Sequence, residues 1–331
     1  MPRKARLDAP GALHHIIVRG INKAPIFKDD QDKTRFLERL GENVLQGQCT
    51  VHAWVLMTNH VHLLFKSGKD GISAVMRKQL TWYAQYFNRR HSRTGHLFEN
   101  RYKSILCEEE TYLLALIRYI HLNPIRAKII QTMEELDRYP WTGHRAVIGK
   151  TDLPWMDIKA CLAEFGGNRK KAITEYRRFV REGINEGRDP SLTGGGLIRS
   201  QGGWSQVVAM RRRGQKEEYD ERILGGGEFV TAIFKEAEDR QLRQTKHKRS
   251  GQTIQKLITA ECKDRQVNEQ ELKAGSKRSS VSVARANIAY RCREELGSSA
   301  AEIARHLGVN TSSIVRSIER LEKEQKTGKH R

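Results

Sequence analysis

The segment "LMTNHVHLLF", residues 56–65, sets two imidazoles at alternate positions of an apolar run. Successive side chains of a strand point to opposite faces, so His60 and His62 share one face while Val61 and Leu63 take the other. Two nitrogen donors then converge on one small volume, which is half of a metal site. Two half-buried strand histidines with ordinary hydrogen bonds would give the same spacing. Further along, "LIRYIHLNPIRA" puts Tyr119 and Asn123 four residues apart, on one face of a helix. A phenol and an amide oxygen beside two imidazoles make a phosphoryl-transfer set, with His60, His62 and Asn123 as metal ligands and Tyr119 as nucleophile. A tyrosine with a pKa of about 10 attacks poorly at neutral pH, but a divalent cation can polarise the phosphate and stabilise the oxygen charges. Tyrosine attack would leave a covalent phosphotyrosine, which conserves the phosphodiester bond energy and suits breaking and rejoining DNA more than hydrolysis. Two imidazoles suit Mn, or Mg that keeps several waters. Tyr112 lies on nearly the same helical face as Tyr119 but lacks a polar partner four residues on. Asn123, just before Pro124, also suits a helix end.

These residues need elements to hold them. "HHIIVRGI", a helical stretch over 29–47, "CTVHAWVLMTN" and the histidine strand read as strand, helix, hairpin. A second helix over 71–90, a strand-like "HLFENRYKSILCE" and a third helix from near Glu110 complete a small α+β sandwich. "IKACLAEFGGNRKKAITEYRRFVREGI" has helical spacing, and "LTGGGLIRSQGGW" and "RRRGQKEEYDERILGGG" have the composition of a linker or an ordered loop. From Thr253 the pattern is helical again. "SSAAEIARHLGVNTSSIVRSIERL" contains a serine-started helix, a turn at Gly308 and a further helix, the grammar of a helix-turn-helix, which a helical dimerisation bundle would share. The expected domains are therefore 1–150, a connecting region 151–250, and 251–331.

Across 331 residues, 60 Lys and Arg oppose 39 Asp and Glu, a net charge of +21, which points to a polyanion such as nucleic acid. The second helix and its exit interleave Arg77, Lys78, Arg89, Arg90, Arg93, Arg101 and Lys103 with Trp82, Tyr83, Tyr86 and Phe87. Cations that track phosphates and rings that stack on bases suit a single strand, while helical spacing assigns about half of the rings to the core. No apolar run approaches the roughly 20 residues of a membrane span, and "MPRKARLDAPGALHH" lacks the apolar part of a secretory signal, so the expected location is the cytoplasm. Cys49, Cys107, Cys161, Cys262 and Cys292 are far apart and without a Cys-x-x-Cys pair, as small core residues would be.

"NHVHLL" resembles the His-hydrophobic-His motif of the HUH endonuclease superfamily. "RYIHLNPIRA" resembles the tyrosine helix of its single-tyrosine transposases, nearest the REP-associated tyrosine transposases. The likeness runs over about residues 1–150 through "PGALHHIIVRG", "MRKQLTWYAQYFNRRHSRTGHLFENRYKS" and "YPW", departing at "GHLFEN", where relatives carry Trp-Gln. It implies a ferredoxin-like antiparallel sheet with helices on one face, Mg or Mn held by His60, His62 and Asn123, and Tyr119 as nucleophile. The substrate implied is single-stranded and hairpin or repeat DNA. Residues from Ile254 to Glu324 resemble the DNA-binding domain of the replication initiator DnaA, without its Arg-Asp-His run. That resemblance implies duplex contacts by Lys277, Arg278, Arg285, Asn310, Thr311, Ser312, Ser313 and Arg316. The expected protein is a DNA transposase, monomer or homodimer, that cuts and rejoins single strands through a 5′-phosphotyrosine. A non-catalytic DNA-binding regulator and a metal-dependent phosphodiesterase using water are the alternatives.

Overall fold

The computed structural model describes residues 7–8, 11–68, 71–186, 192, 219–235, 238 and 251–327. Two compact units divide the chain, residues 1–233 and 234–331.

In the first unit, β1 (Leu13–Arg19), α1 (Asp30–Gln46), β2 (Thr50–Leu56), β3 (His60–Lys66), α2 (Ser73–Arg90) and β4 (Lys103–Cys107) follow one another as βαββαβ. The sheet order is β2-β3-β1-β4, all neighbours antiparallel, and β5 (Ile223–Leu224) adds a parallel edge beside β4. This is the ferredoxin-like α+β architecture expected from the sequence. α1 starts where Asp29 accepts from the Asp32 amide and buries Phe36, Leu40 and Val44 at helical spacing.

The pairing register sorts the strand residues into two faces. His15 lies opposite Leu64, Ile17 opposite His62 and Arg19 opposite His60, so these side chains share a face, and His14, Ile16 and Val18 take the other. On the His14 face, His14 bonds Ser104 at 3.1 Å, and Asp8 beside it accepts from the Ile72 and Ser73 amides at the start of α2. Gly71 permits that closeness: its φ is +73°, and a Cβ there would stand 2.4 Å from the Asp8 carboxylate. On the opposite face lies α3 (Glu109–His121), whose Tyr119 packs on His15 and His62.

Beyond α3 come the short α4 (Asn123–Arg126), α5 (Met133–Leu136), α6 (His144–Val147) and α7 (Ile158–Ala163), then α8 (Arg169–Asn185). α8 is tied to α3 by the Arg118–Glu186 pair and by Tyr176, whose hydroxyl lies 2.7 Å from His121 Nδ1 and 2.9 Å from His144 Nδ1. Asp137 closes this buried chain by accepting from His144 and Arg177. The helical part of the connecting region thus packs with the N-terminal unit, while its glycine-rich stretch 193–218 lies outside the described residues.

The second unit comprises α9 (Ile254–Asp264), α10 (Glu269–Lys273), α11 (Ser279–Leu296), α12 (Ala300–His306) and α13 (Thr311–Thr327). Leu257, Ile258, Leu272, Ile288, Ile303, Leu307 and Ile314 build its own core. Ser299 caps α12, and Gly308 turns the chain with φ +65°, where a Cβ would meet the Lys273 carbonyl at 2.2 Å. All five cysteines are buried and unbridged. No helix among the described residues is long and apolar enough to cross a membrane.

Candidate active site

Three histidines and a tyrosine meet on the α3 face of the sheet. The His60 and His62 rings stand 5.2 Å apart at 81°, one residue apart on β3 as the strand spacing requires. His60 Nδ1 lies 2.7 Å from the Asn59 side-chain oxygen. His62 Nδ1 lies 2.9 Å from Nε2 of His15, whose Nδ1 lies 2.9 Å from the Leu192 carbonyl. Burial outweighs that carbonyl and pushes the His15 pKa down to about 4, so the ring is neutral. Lys103 faces the same side, since β4 sets it opposite Ile17, which is opposite His62.

Tyr119 is 1% exposed, and its ring meets both His15 and His62 edge-on at 5.9 Å. Its hydroxyl is buried without a hydrogen-bond partner. Such a group costs roughly 1–3 kcal/mol, which requires an explanation in a native fold. The Arg126 guanidinium lies over the Tyr119 ring at 5.2 Å. Asn123 donates its amide N–H groups to the Tyr119 and Ile120 carbonyls at 2.9 and 3.3 Å. It therefore serves the helix end, and its oxygen is the side-chain atom that these two bonds leave over. Tyr112 is half-buried and packs against the core.

No group of three His, Cys, Asp or Glu side chains suited to a metal occurs among the described residues. The donors that the sheet brings together are instead the two β3 imidazoles. Such a set, beside a buried hydroxyl that lacks a partner, fits a divalent cation that keeps part of its water shell.

The basic residues separate into distinct groups. Arg77, Lys78, Arg89, Arg101 and Lys103 are exposed. Arg77 and Arg101 line a cleft of about 890 Å³ with Thr81, His96, Asn100 and Tyr102, between α2 and the segment that follows it. Arg90 is instead spent on Asp29 at 2.7 Å and Asp32 at 2.5 Å, and Arg93 on Asn88 and the His96 carbonyl. Tyr83 and Phe87 are core, and Tyr83 donates to the Ile26 carbonyl at 2.7 Å. Trp82 and Tyr86 stack at 5.5 Å, half-buried.

In the second unit Lys277, Arg278, Asn310, Thr311, Ser312 and Arg316 are exposed and Ser313 is half-buried. Asn310 accepts from the Ser313 amide at 2.7 Å, Arg278 pairs with Glu271, and Arg316 bonds the Ser312 carbonyl. Arg285 departs from the expected DNA contact. It is 6% exposed and donates to the Leu272 and Ser276 carbonyls at 3.0 and 3.1 Å, which holds α11 to the turn after α10.

His15 escaped the sequence reading. Its signal was the paired histidine of "HHIIVRG", legible only with the β1–β3 register in hand.

The first unit is thus a ferredoxin-like sheet that carries two alternate histidines under a helical tyrosine. Residues 10–123 match the family model described as "Transposase IS200 like", and that segment contains His60, His62, Tyr119 and Asn123. The match supports a transposase-type DNA function for the N-terminal unit. Among solved structures, the chain is similar to a REP-associated tyrosine transposase bound to a REP hairpin. The identity is 16% over 47% of this chain and 98% of that one, with a TM-score of 0.37. No curated protein matches the chain.

Proposed function

We propose that this chain is a DNA transposase that cuts and rejoins single-stranded DNA through Tyr119. The observation that carries this reading is the Tyr119 hydroxyl, buried beside His62 and left without a partner, as a group reserved for a reacting phosphate would be. The Tyr119 oxygen attacks the scissile phosphorus, the phosphorus–3′-oxygen bond breaks, and a 5′-phosphotyrosine and a free 3′-hydroxyl result. The phenolic proton is lost to solvent and solvent protonates the departing 3′-oxygen, so the step is proton-neutral. Attack by a 3′-hydroxyl on the phosphotyrosine reverses the step and rejoins a strand without ATP. His60, His62 and the Asn123 oxygen would hold a divalent cation, Mg or Mn, which supplies the positive charge that polarises the phosphate. Lys103, on the same face, binds phosphate, and Arg77, Lys78, Arg89 and Arg101 track the strand, while Arg90 and Arg93 set the shape of that surface.

The preferred substrate is single-stranded hairpin or repeat DNA, as in the hairpin complex of the solved relative, and the place of action is the cytoplasm. The helix-turn-helix of residues 251–331, resembling the initiator domain, binds duplex DNA through Lys277, Arg278, Arg316 and the start of α13 from Asn310 to Ser313. The catalytic domain is built on residues 1–150 and joined to that module through 151–250, in a monomer or homodimer.

A second reading draws support from the 1% exposure of Tyr119: a regulator that binds DNA and does not cut. Incubating the full chain with hairpin-bearing single strands and Mn²⁺ separates the readings. An SDS-resistant protein–DNA adduct supports the transposase, binding without cleavage supports the regulator, and cleavage without an adduct means that water attacks.

A further inference from the structure

The bonds made by the Nδ1 atoms of His60 and His62 decide which nitrogen of each ring can bind a cation. The Asn59 side chain donates to the Lys23 carbonyl at 3.0 Å, which fixes the flip of its amide and turns Oδ1 toward His60. Oδ1 only accepts, so His60 Nδ1, 2.7 Å away, carries the proton. The same logic runs through His15. The Leu192 carbonyl only accepts, so His15 Nδ1 is the donor in that bond, and Nε2 is the atom this fully buried ring turns toward His62 as acceptor. His15 Nε2 therefore accepts from His62 Nδ1 at 2.9 Å. Both β3 histidines end as the same tautomer, with the lone pair on Nε2.

We infer that Asn59 and His15 are positioning residues that hold His60 and His62 in one tautomer, so that both Nε2 atoms are presented to a single divalent cation. The inference rests on the metal-dependent reading above. The opposite tautomer of either ring would aim an N–H at the cation, which cannot ligate. The two supports come from different parts of the chain. Asn59 is anchored by a turn in which Asn22 and Lys23 hold φ angles of +51° and +58°, the left-handed region that residues other than glycine enter at a cost. That cost is borne where the turn presents the Lys23 carbonyl to Asn59. His15 comes from β1, whose pairing with β3 sets it diagonally beside His62, and the Leu192 carbonyl orients it from the connecting region.

Two measurements on the full chain test this. Long-range ¹H–¹⁵N spectra of the metal-free protein should show His60 and His62 both protonated on Nδ1. Mn²⁺ titrations followed by electron paramagnetic resonance should show Asn59→Leu and His15→Phe each weakening binding about 10- to 100-fold. His15→Gln keeps an acceptor for His62 and a donor for Leu192, and should recover most of the loss. A ring protonated on Nε2, or unchanged Mn²⁺ affinity in both folded variants, overturns this inference while leaving the metal site standing. Wild-type protein that binds no Mn²⁺ overturns the metal site and this inference with it. The spectra need no variant, so a misfolded substitution leaves the tautomer assignment decidable.

Discussion

The ring of Tyr119 meets that of His62 edge-on, with centroids 5.9 Å apart and planes at 77°. This contact puts the proposed nucleophile against one of the proposed metal ligands, yet the Tyr119 hydroxyl donates to nothing. The chain therefore carries the cost of an unpaired buried group at the place where the proposed chemistry requires an oxygen.

Tyr119→Phe should consequently abolish the covalent adduct and cleavage while making the folded protein more stable, by roughly 1 kcal/mol, because an unsatisfied hydroxyl is removed. Urea unfolding and an SDS gel read the two effects on one preparation. Tyr112→Phe should retain the adduct, which peptide mass spectrometry should place on "YIHLNPIR". An adduct on Tyr112, or a Tyr119→Phe protein that still cuts, would refute the assignment.

His60→Ala and His62→Ala should each abolish divalent-dependent nicking, as should EDTA on the wild type. Each removes one of two imidazoles that have no substitute in the set. The two variants should differ in stability. His60 is half-buried at the strand end, whereas His62 is 4% exposed and bonded to His15, so His62→Ala also leaves a buried acceptor unpaired. Thermal melts should show the larger loss for His62→Ala, and equal melts with nicking at wild-type rate in EDTA would remove both histidines from the site.

Much of this site was legible because it depends on short-range periodicity. Two residues of spacing on a strand and four on a helix give the shared faces of His60 with His62 and of Tyr119 with Asn123 before any tertiary information. The remainder was hidden because it depends on partners far along the chain. His15 meets His62 only through the register of two strands, and Leu192 reaches His15 across 177 residues. β5 joins the sheet from residues 223–224 as a two-residue pairing too short for any periodic signal. The basic-aromatic pattern of the second helix assigned Arg90 to DNA, and the resemblance to the initiator domain assigned Arg285. Arg90 instead meets carboxylates about sixty residues earlier, and Arg285 meets carbonyls of its own unit.

That difference gives a test in the second unit. Lys277→Ala and Arg316→Ala should leave the melting temperature of the 251–331 module unchanged and lower the log–log salt slope of duplex binding by about one each. Arg285→Leu should cost about 1–3 kcal/mol of stability, since the Leu272 and Ser276 carbonyls lose their donor. The module has its own core, so the fragment can be measured alone. Salt-insensitive duplex binding would move it to a protein-contact role.

The N-terminal unit should lose stability as the medium is acidified, because it buries histidines in the neutral form. Burial lowers His14 to about 4 against the pull of Asp8, lowers His144 against Asp137, and drives His121 well below its ordinary 6.5. Between 6.5 and the folded value the unfolded chain holds a proton at each position that the native state does not. Stability therefore rises with pH across that window and falls as pH drops through it. Each histidine contributes a slope of up to about 1.4 kcal/mol per pH unit, complete for His14 near pH 4. Urea unfolding at pH 7.5, 6 and 5 should show a progressive loss, and His14→Gln should reduce it by the share of one histidine. Stability that is flat or rises from pH 7.5 to 5 would mean that these rings take up protons in the folded state as readily as in the unfolded one. The neutral chain from Asp137 through His144 and Tyr176 to His121, which ties α3 to α8 two residues from Tyr119, would then be wrong.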